Sequence, residues 1–78
     1  MEEKILDMLA EVCEDDMVRE DRGVRLFETG LLDSLTFAEL LFEIEDRFGL
    51  ILSPSEIERE DVDTPDKIIG LIQGRLGR

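Results

Sequence analysis

Few side chains in this sequence can do chemistry, and Ser34 stands apart from the rest by its position. It follows Asp33 and opens the most regular amphipathic stretch of the chain. Phe37, Leu41, Ile44 and Phe48 recur there at i, i+4, i+7 and i+11, while Glu39, Glu43, Asp46 and Arg47 fill the other faces. The spacing predicts a helix with one buried side. Aspartate is a preferred N-cap because its carboxylate accepts backbone N–H groups two or three residues on, so Asp33 is expected to cap this helix. Ser34 then takes the first helical position, with its hydroxyl toward water. An anion carried there would meet the positive end of the helix dipole and free N–H groups, worth about 0.3–1 kcal/mol. The bland alternative is a solvated first-turn serine, but the apolar flanks Leu31, Leu32 and Leu35 are a poor composition for a turn that only meets water.

The other reactive groups lead to simpler readings. There is no histidine, which excludes a Ser-His or Cys-His catalytic pair within the chain. Cys13 is the single cysteine, without a partner for a disulfide or a second thiol or histidine for a metal site. Its acidic neighbours raise a thiol pKa, so it reads as a small core hydrophobe. Asp61-Val62-Asp63-Thr64-Pro65-Asp66 has the spacing of the first calcium-loop carboxylates, yet it lacks the glycine at the sixth position and carries a proline. A capped helix start is expected instead, and no metal. With no clustered acid-base pair either, no catalytic residue is assigned and an autonomous enzyme is disfavoured.

Seventy-eight residues predict a single domain spanning 1–78. A chain this short buries only about 60% of its unfolded surface, leaving little room for an internal substrate pocket. Twenty-one acidic and nine basic residues give a net charge of −12, which repels nucleic acid and anionic membrane surfaces and attracts basic protein patches. No run approaches the roughly 18 apolar residues of a membrane span, and MEEKILDMLAE is acidic and amphipathic, unlike a secretory signal. A cytoplasmic monomer is expected.

The elements that must position Ser34 follow from the same patterning. Ile5, Met8, Leu9 and Val12 form one stripe, with Leu6 and Cys13 beside it, predicting a first helix over roughly 2–15 that stops at the acidic run Glu14-Asp15-Asp16. Residues 17–33 read as a long loop turned by Gly23 and Gly30 and pinned by Met17, Val18, Val24, Leu26, Phe27, Leu31 and Leu32. After the Ser34 helix, Gly49 has the place of a C′ glycine and Leu50, Ile51 and Leu52 return the chain to the core. Ser53-Pro54-Ser55-Glu56 has the form of a capping box and predicts a short helix near 54–60 with Ile57 inward. Thr64-Pro65 repeats the signal, and Ile68, Ile69, Ile72 and Leu76 form the stripe of a last helix that Gly70 and Gly74 weaken. There is no strand pattern, repeat or low-complexity tract. The expected fold is all-α, a small four-helix bundle of three main helices and one short one, with a long loop between the first two and Ser34 at one end.

Gly30-Leu31-Leu32-Asp33-Ser34-Leu35 resembles the phosphopantetheine attachment motif of the acyl and peptidyl carrier proteins. The resemblance covers nearly the whole chain, including the long first loop, Glu45-Asp46-Arg47-Phe48-Gly49 and the Thr64-Pro65 helix start. Within that superfamily the sequence is most similar to the D-alanyl carrier proteins, which serve D-alanylation of teichoic acids in Gram-positive bacteria. Leu9-Ala10-Glu11-Val12-Cys13-Glu14-Asp15-Asp16 is similar to their first helix and Phe27-Glu28-Thr29-Gly30-Leu31-Leu32-Asp33-Ser34 to their approach to the modified serine. The basic tail Gln73-Gly74-Arg75-Leu76-Gly77-Arg78 corresponds to no feature of that family.

The resemblance implies that Ser34 is an acceptor and not a catalyst, with Asp33 as the cap beside it. A separate transferase using coenzyme A would attach 4′-phosphopantetheine covalently to Ser34. Its thiol would hold an acyl or aminoacyl group, D-alanine in the D-alanyl carriers, as a thioester. An ATP-dependent ligase would load that group and a membrane-bound acyltransferase would discharge it. The same implication makes Glu39, Glu43 and Asp46 a charged docking face for successive basic partners, where the plain reading is a solvated helix side. Leu35, Ala38 and Phe42 lie between the charged and buried faces, and for Leu35 and Phe42 both partner contact and core packing remain open. Two alternatives stand beside the D-alanyl reading. One is a carrier for a fatty acid, polyketide or other amino acid pathway, and the other is an acidic helical protein-binding adaptor without a cofactor.

Overall fold

The computed structural model describes residues 2–77, and all of its regular secondary structure is helical, with no strand among those residues. Its elements are α1 (Glu2–Cys13), α2 (Met17–Glu20), α3 (Ser34–Phe48), a 3-10 turn (Arg59–Val62) and α4 (Pro65–Leu76). Helix α1 packs on α2, α3 and α4, and the 3-10 turn packs on α4. One hydrophobic cluster joins them, with Ile5, Met8, Leu9, Val18, Leu26, Leu40, Ile44, Val62, Ile68 and Ile72 fully buried. No helix among the described residues is long and apolar enough to cross a membrane. Arg78, the end of the basic tail, lies outside the described residues, as does Met1.

Three main helices appear where the periodicity puts them, and the differences have local causes. Helix α1 stops at Cys13, two residues short of the expected end, because Glu14 turns to φ 54 and Asp15 N–H bonds Ala10 O at 3.2 Å, closing the helix with a Schellman-type bond. The expected loop contains the single turn α2, started when Asp15 Oδ1 accepts Met17 N–H at 2.9 Å. The short helix expected near 54–60 is displaced. Ser53 Oγ engages Ser55 Oγ at 2.8 Å in place of capping a helix, and the 3-10 turn begins at Arg59 after Asp61 Oδ2 accepts Glu58 N–H at 3.0 Å. Met17, Ile51 and Leu76, expected to face the core, are exposed, Ile51 by 77%. Ile51 lies between half-buried Leu50 and buried Leu52 in a segment that is neither helix nor strand. On α3 the buried line runs through Leu40, Leu41 and Ile44, with Phe37 and Phe48 half-buried at its ends.

Candidate functional site

The start of α3 is built by a reciprocal cap. Asp33 has extended backbone (φ −138, ψ −170), and its Oδ1 accepts the N–H of Leu35 at 3.0 Å and of Thr36 at 2.9 Å. Thr36 Oγ1 accepts Asp33 N–H at 2.7 Å and lies 3.1 Å from Asp33 Oδ1. The carboxyl therefore titrates below its ordinary value, chiefly because Thr36 N–H and then the Thr36 hydroxyl bond the charged form. The sequence suggested free N–H groups at this helix start, and the structure corrects that: Asp33 occupies two of them. Ser34 occupies the first helical position and is exposed.

What surrounds Ser34 comes from distant parts of the chain. Leu26 N–H donates to Asp63 O at 2.7 Å and Asp66 N–H to Arg22 O at 3.1 Å, stitching the first loop to the segment before α4. Leu32 N–H bonds Leu26 O at 2.9 Å, folding the approach to Asp33 back on itself, with Leu26 and Leu32 buried beneath. These ties bring Arg59 over Phe27, its guanidinium carbon 5.1 Å from the ring centre, and Arg59 Nη2 donates to Ser34 Oγ at 3.2 Å. Phe27 in turn meets Phe37 edge to face, with ring centres 6.0 Å apart. Sequence reasoning missed Arg59 and Thr36. Thr36 had a signal, since it lies three residues after the cap. Arg59 is 25 positions from Ser34, and no local pattern links them.

On the outer face of α3, Leu35, Glu39, Phe42 and Asp46 fall at i, i+4, i+7 and i+11 and all four are exposed, Leu35 by 70% and Phe42 by 65%. That excludes core packing for the two apolar members. Glu43 differs from the others. It is half-buried and bonds Arg47 Nε at 2.8 Å, while Arg47 Nη2 reaches Glu11 of α1 at 2.5 Å, so it belongs to a clamp between helices. Cys13 is half-buried against the core, and burial, then the nearby Asp15 charge, pushes its thiol up to about 11. Two carboxylates of the 61–66 stretch have structural partners, Asp61 accepting Glu58 N–H and Asp63 pairing with Arg25 at 3.7 Å, while the Thr64 hydroxyl caps α4 by accepting Lys67 N–H at 3.2 Å.

Residues 3–77 match the family described as the phosphopantetheine attachment site. The chain is similar to curated D-alanyl carrier proteins. It is 43% identical over 76 residues to that of Abiotrophia defectiva, a match covering 97% of this chain and 96% of the relative. It is 45% identical over 67 residues to those of Bacillus velezensis and Bacillus subtilis, covering 86% of this chain and 86% of each relative.

Proposed function

The chain belongs to the phosphopantetheine attachment site family and is a carrier protein with covalently bound 4′-phosphopantetheine, and from that membership we propose that Ser34 is the attachment residue and D-alanine the cargo. The observation that carries the attachment reading is the exposed Ser34 hydroxyl at the first position of α3. An accessible oxygen at a rigid helix start, with a guanidinium 3.2 Å away, fits a phosphodiester. The cargo reading is supported by the relatives' identity over nearly the whole chain. Residues 1–78 act in this reading as one carrier domain, consistent with the single hydrophobic cluster.

In attachment, Ser34 Oγ forms a new bond to the pantetheine-bearing phosphorus of coenzyme A, and adenosine 3′,5′-bisphosphate leaves. The hydroxyl proton must pass to a base on the transferase. This chain has no histidine, and the adjacent Asp33 carboxylate is a weak base because Thr36 and Leu35 donors favour its charged form. Once bound, the group supplies a terminal thiol that holds the cargo as a thioester, chemistry that is the cofactor's own. The chain's part is positional: the Asp33–Thr36 cap fixes the helix start, and the Leu35, Glu39, Phe42, Asp46 stripe is offered to partners. Those partners are proposed to be a phosphopantetheinyl transferase, an ATP-dependent D-alanine ligase and a membrane-bound acyltransferase that serves teichoic acids, with the carrier working as a monomer on the cytoplasmic side. Intact mass after incubation with coenzyme A and a broad-specificity phosphopantetheinyl transferase tests the attachment. Wild type should gain one arm and Ser34→Ala none, and a wild type of unchanged mass would leave an acidic adaptor. Competitive loading of the modified protein by purified ligases, D-alanine against fatty acids and other amino acids, tests the cargo.

A further inference from the structure

The chain has 21 acidic and 9 basic residues, and the described cations fall into two groups. Arg19, Arg22, Arg25 and Arg47 each pair with one or two carboxylates. Lys4, Arg59, Lys67 and Arg75 have no carboxylate partner within 4.0 Å among the described residues, and of these four Arg59 is the one that reaches Ser34. It rests instead on the Phe27 ring and directs Nη2 at Ser34 Oγ. Contact with a ring face leaves the N–H donors at the guanidinium edge available, and the ring limits where that edge can go. The backbone bonds Leu26–Asp63 and Arg22–Asp66 hold the two segments together, so the pose is set by the fold and not by the side chain alone.

We propose that Arg59 is a positioning residue for the phosphodiester on Ser34, pairing with its non-bridging oxygens and so setting the direction in which the arm leaves α3. This rests on the reading of Ser34 given above. Esterification puts a negative charge two bonds beyond Ser34 Oγ, near the Asp33 carboxylate, which has already taken the N–H groups of Leu35 and Thr36. The helix start alone therefore offers the anion less than an uncapped end would, and adds a like charge. Arg59 supplies the opposite charge together with a planar set of donors matched to phosphate oxygens. A lysine would supply the charge without the fork.

The test uses nitrogen-15 labelled protein before and after modification with coenzyme A and the broad-specificity transferase, with intact mass confirming attachment. The Arg59 guanidinium N–H resonances should move downfield on attachment in wild type, a comparison that needs no variant. The phosphorus-31 resonance of the phosphodiester should differ between modified wild type and modified Arg59→Gln, and the difference should shrink at about 0.5 M salt, where exposed charge pairs are screened. Guanidinium resonances unmoved by attachment, with the same phosphorus resonance in both proteins, would overturn the role of Arg59 while leaving Ser34 as the attachment residue. A wild type that gains no mass would remove both.

Discussion

Asp33 and Thr36 satisfy each other's backbone: Asp33 Oδ1 accepts Thr36 N–H at 2.9 Å and Thr36 Oγ1 accepts Asp33 N–H at 2.7 Å. The bonds to Asp33 favour its charged form, so its folded pKa lies below the ordinary 3.8, with Thr36 N–H the largest cause. The folded state then binds fewer protons than the unfolded state, and the contribution is complete above the unfolded pKa. It is lost as pH falls from that value through the lower folded one. Asparagine caps as well as aspartate but does not titrate. Asp33→Asn should therefore fold normally at neutral pH and lose part of the acid-side decline in stability, measured as urea midpoints from pH 7 down to pH 3. Thr36→Val removes the reciprocal bond and should cost about 1 kcal/mol at neutral pH.

Left-handed backbone ends both α1 and α3. Glu14 closes α1 at φ 54 and Gly49 closes α3 at φ 69, with Gly49 N–H bonded to Glu45 O at 2.9 Å. A residue with a Cβ is penalised in that conformation and glycine is not. Glu14→Gly should therefore stabilise by up to about 1 kcal/mol, and Gly49→Ala should destabilise by about the same amount. A Cβ at Gly49 would touch nothing within 4 Å, so the cost is conformational. Chemical denaturation of the pair, with opposite signs expected, checks the argument.

Gly70 calls for the reverse change. It lies inside α4, is exposed, and a Cβ there would meet nothing within 4 Å. Alanine reduces the freedom of the unfolded chain without a steric penalty, so Gly70→Ala should add about 0.5–1 kcal/mol. For a domain of this size that raises the melting temperature by roughly 4 °C, readable by circular dichroism.

The helices were legible because their information is local. The stripes Ile5, Met8, Leu9 and Ile68, Ile69, Ile72 each bury one face, and the caps Asp33 and Thr64 announce themselves by residue type. The errors arose where a local signal had competitors. Ser53 had the type and spacing of a cap but bonded Ser55, and Glu14 took a conformation that composition assigns to glycine. Ser34 could be singled out because its neighbours define a helix start. Arg59 could not, since it reaches Ser34 through the stitching of two loops at Leu26–Asp63, a pairing that periodicity does not encode.

The outer stripe of α3 lets the proposed partner contact be tested apart from stability. Leu35 and Phe42 are largely exposed, so Leu35→Ala and Phe42→Ala should change unfolding free energy by less than about 0.5 kcal/mol. Apolar anchors at the centre of an interface lose about 1–2 kcal/mol on truncation, so each change should slow loading by the acyl ligase roughly tenfold at subsaturating carrier. Glu39→Lys acts differently: it reverses an exposed charge that is proposed to steer encounter, so loading should slow several-fold at low salt and recover as salt rises. Glu43→Lys is the internal control. Glu43 is held by Arg47, which also binds Glu11 across to α1, so reversing it should lower the melting temperature as well as affect loading. Stopped-flow loading kinetics at two ionic strengths, run beside thermal melts, distinguish the two classes. Leu35→Ala and Glu39→Lys proteins that load as fast as wild type at low salt would show that partners approach Ser34 from another side.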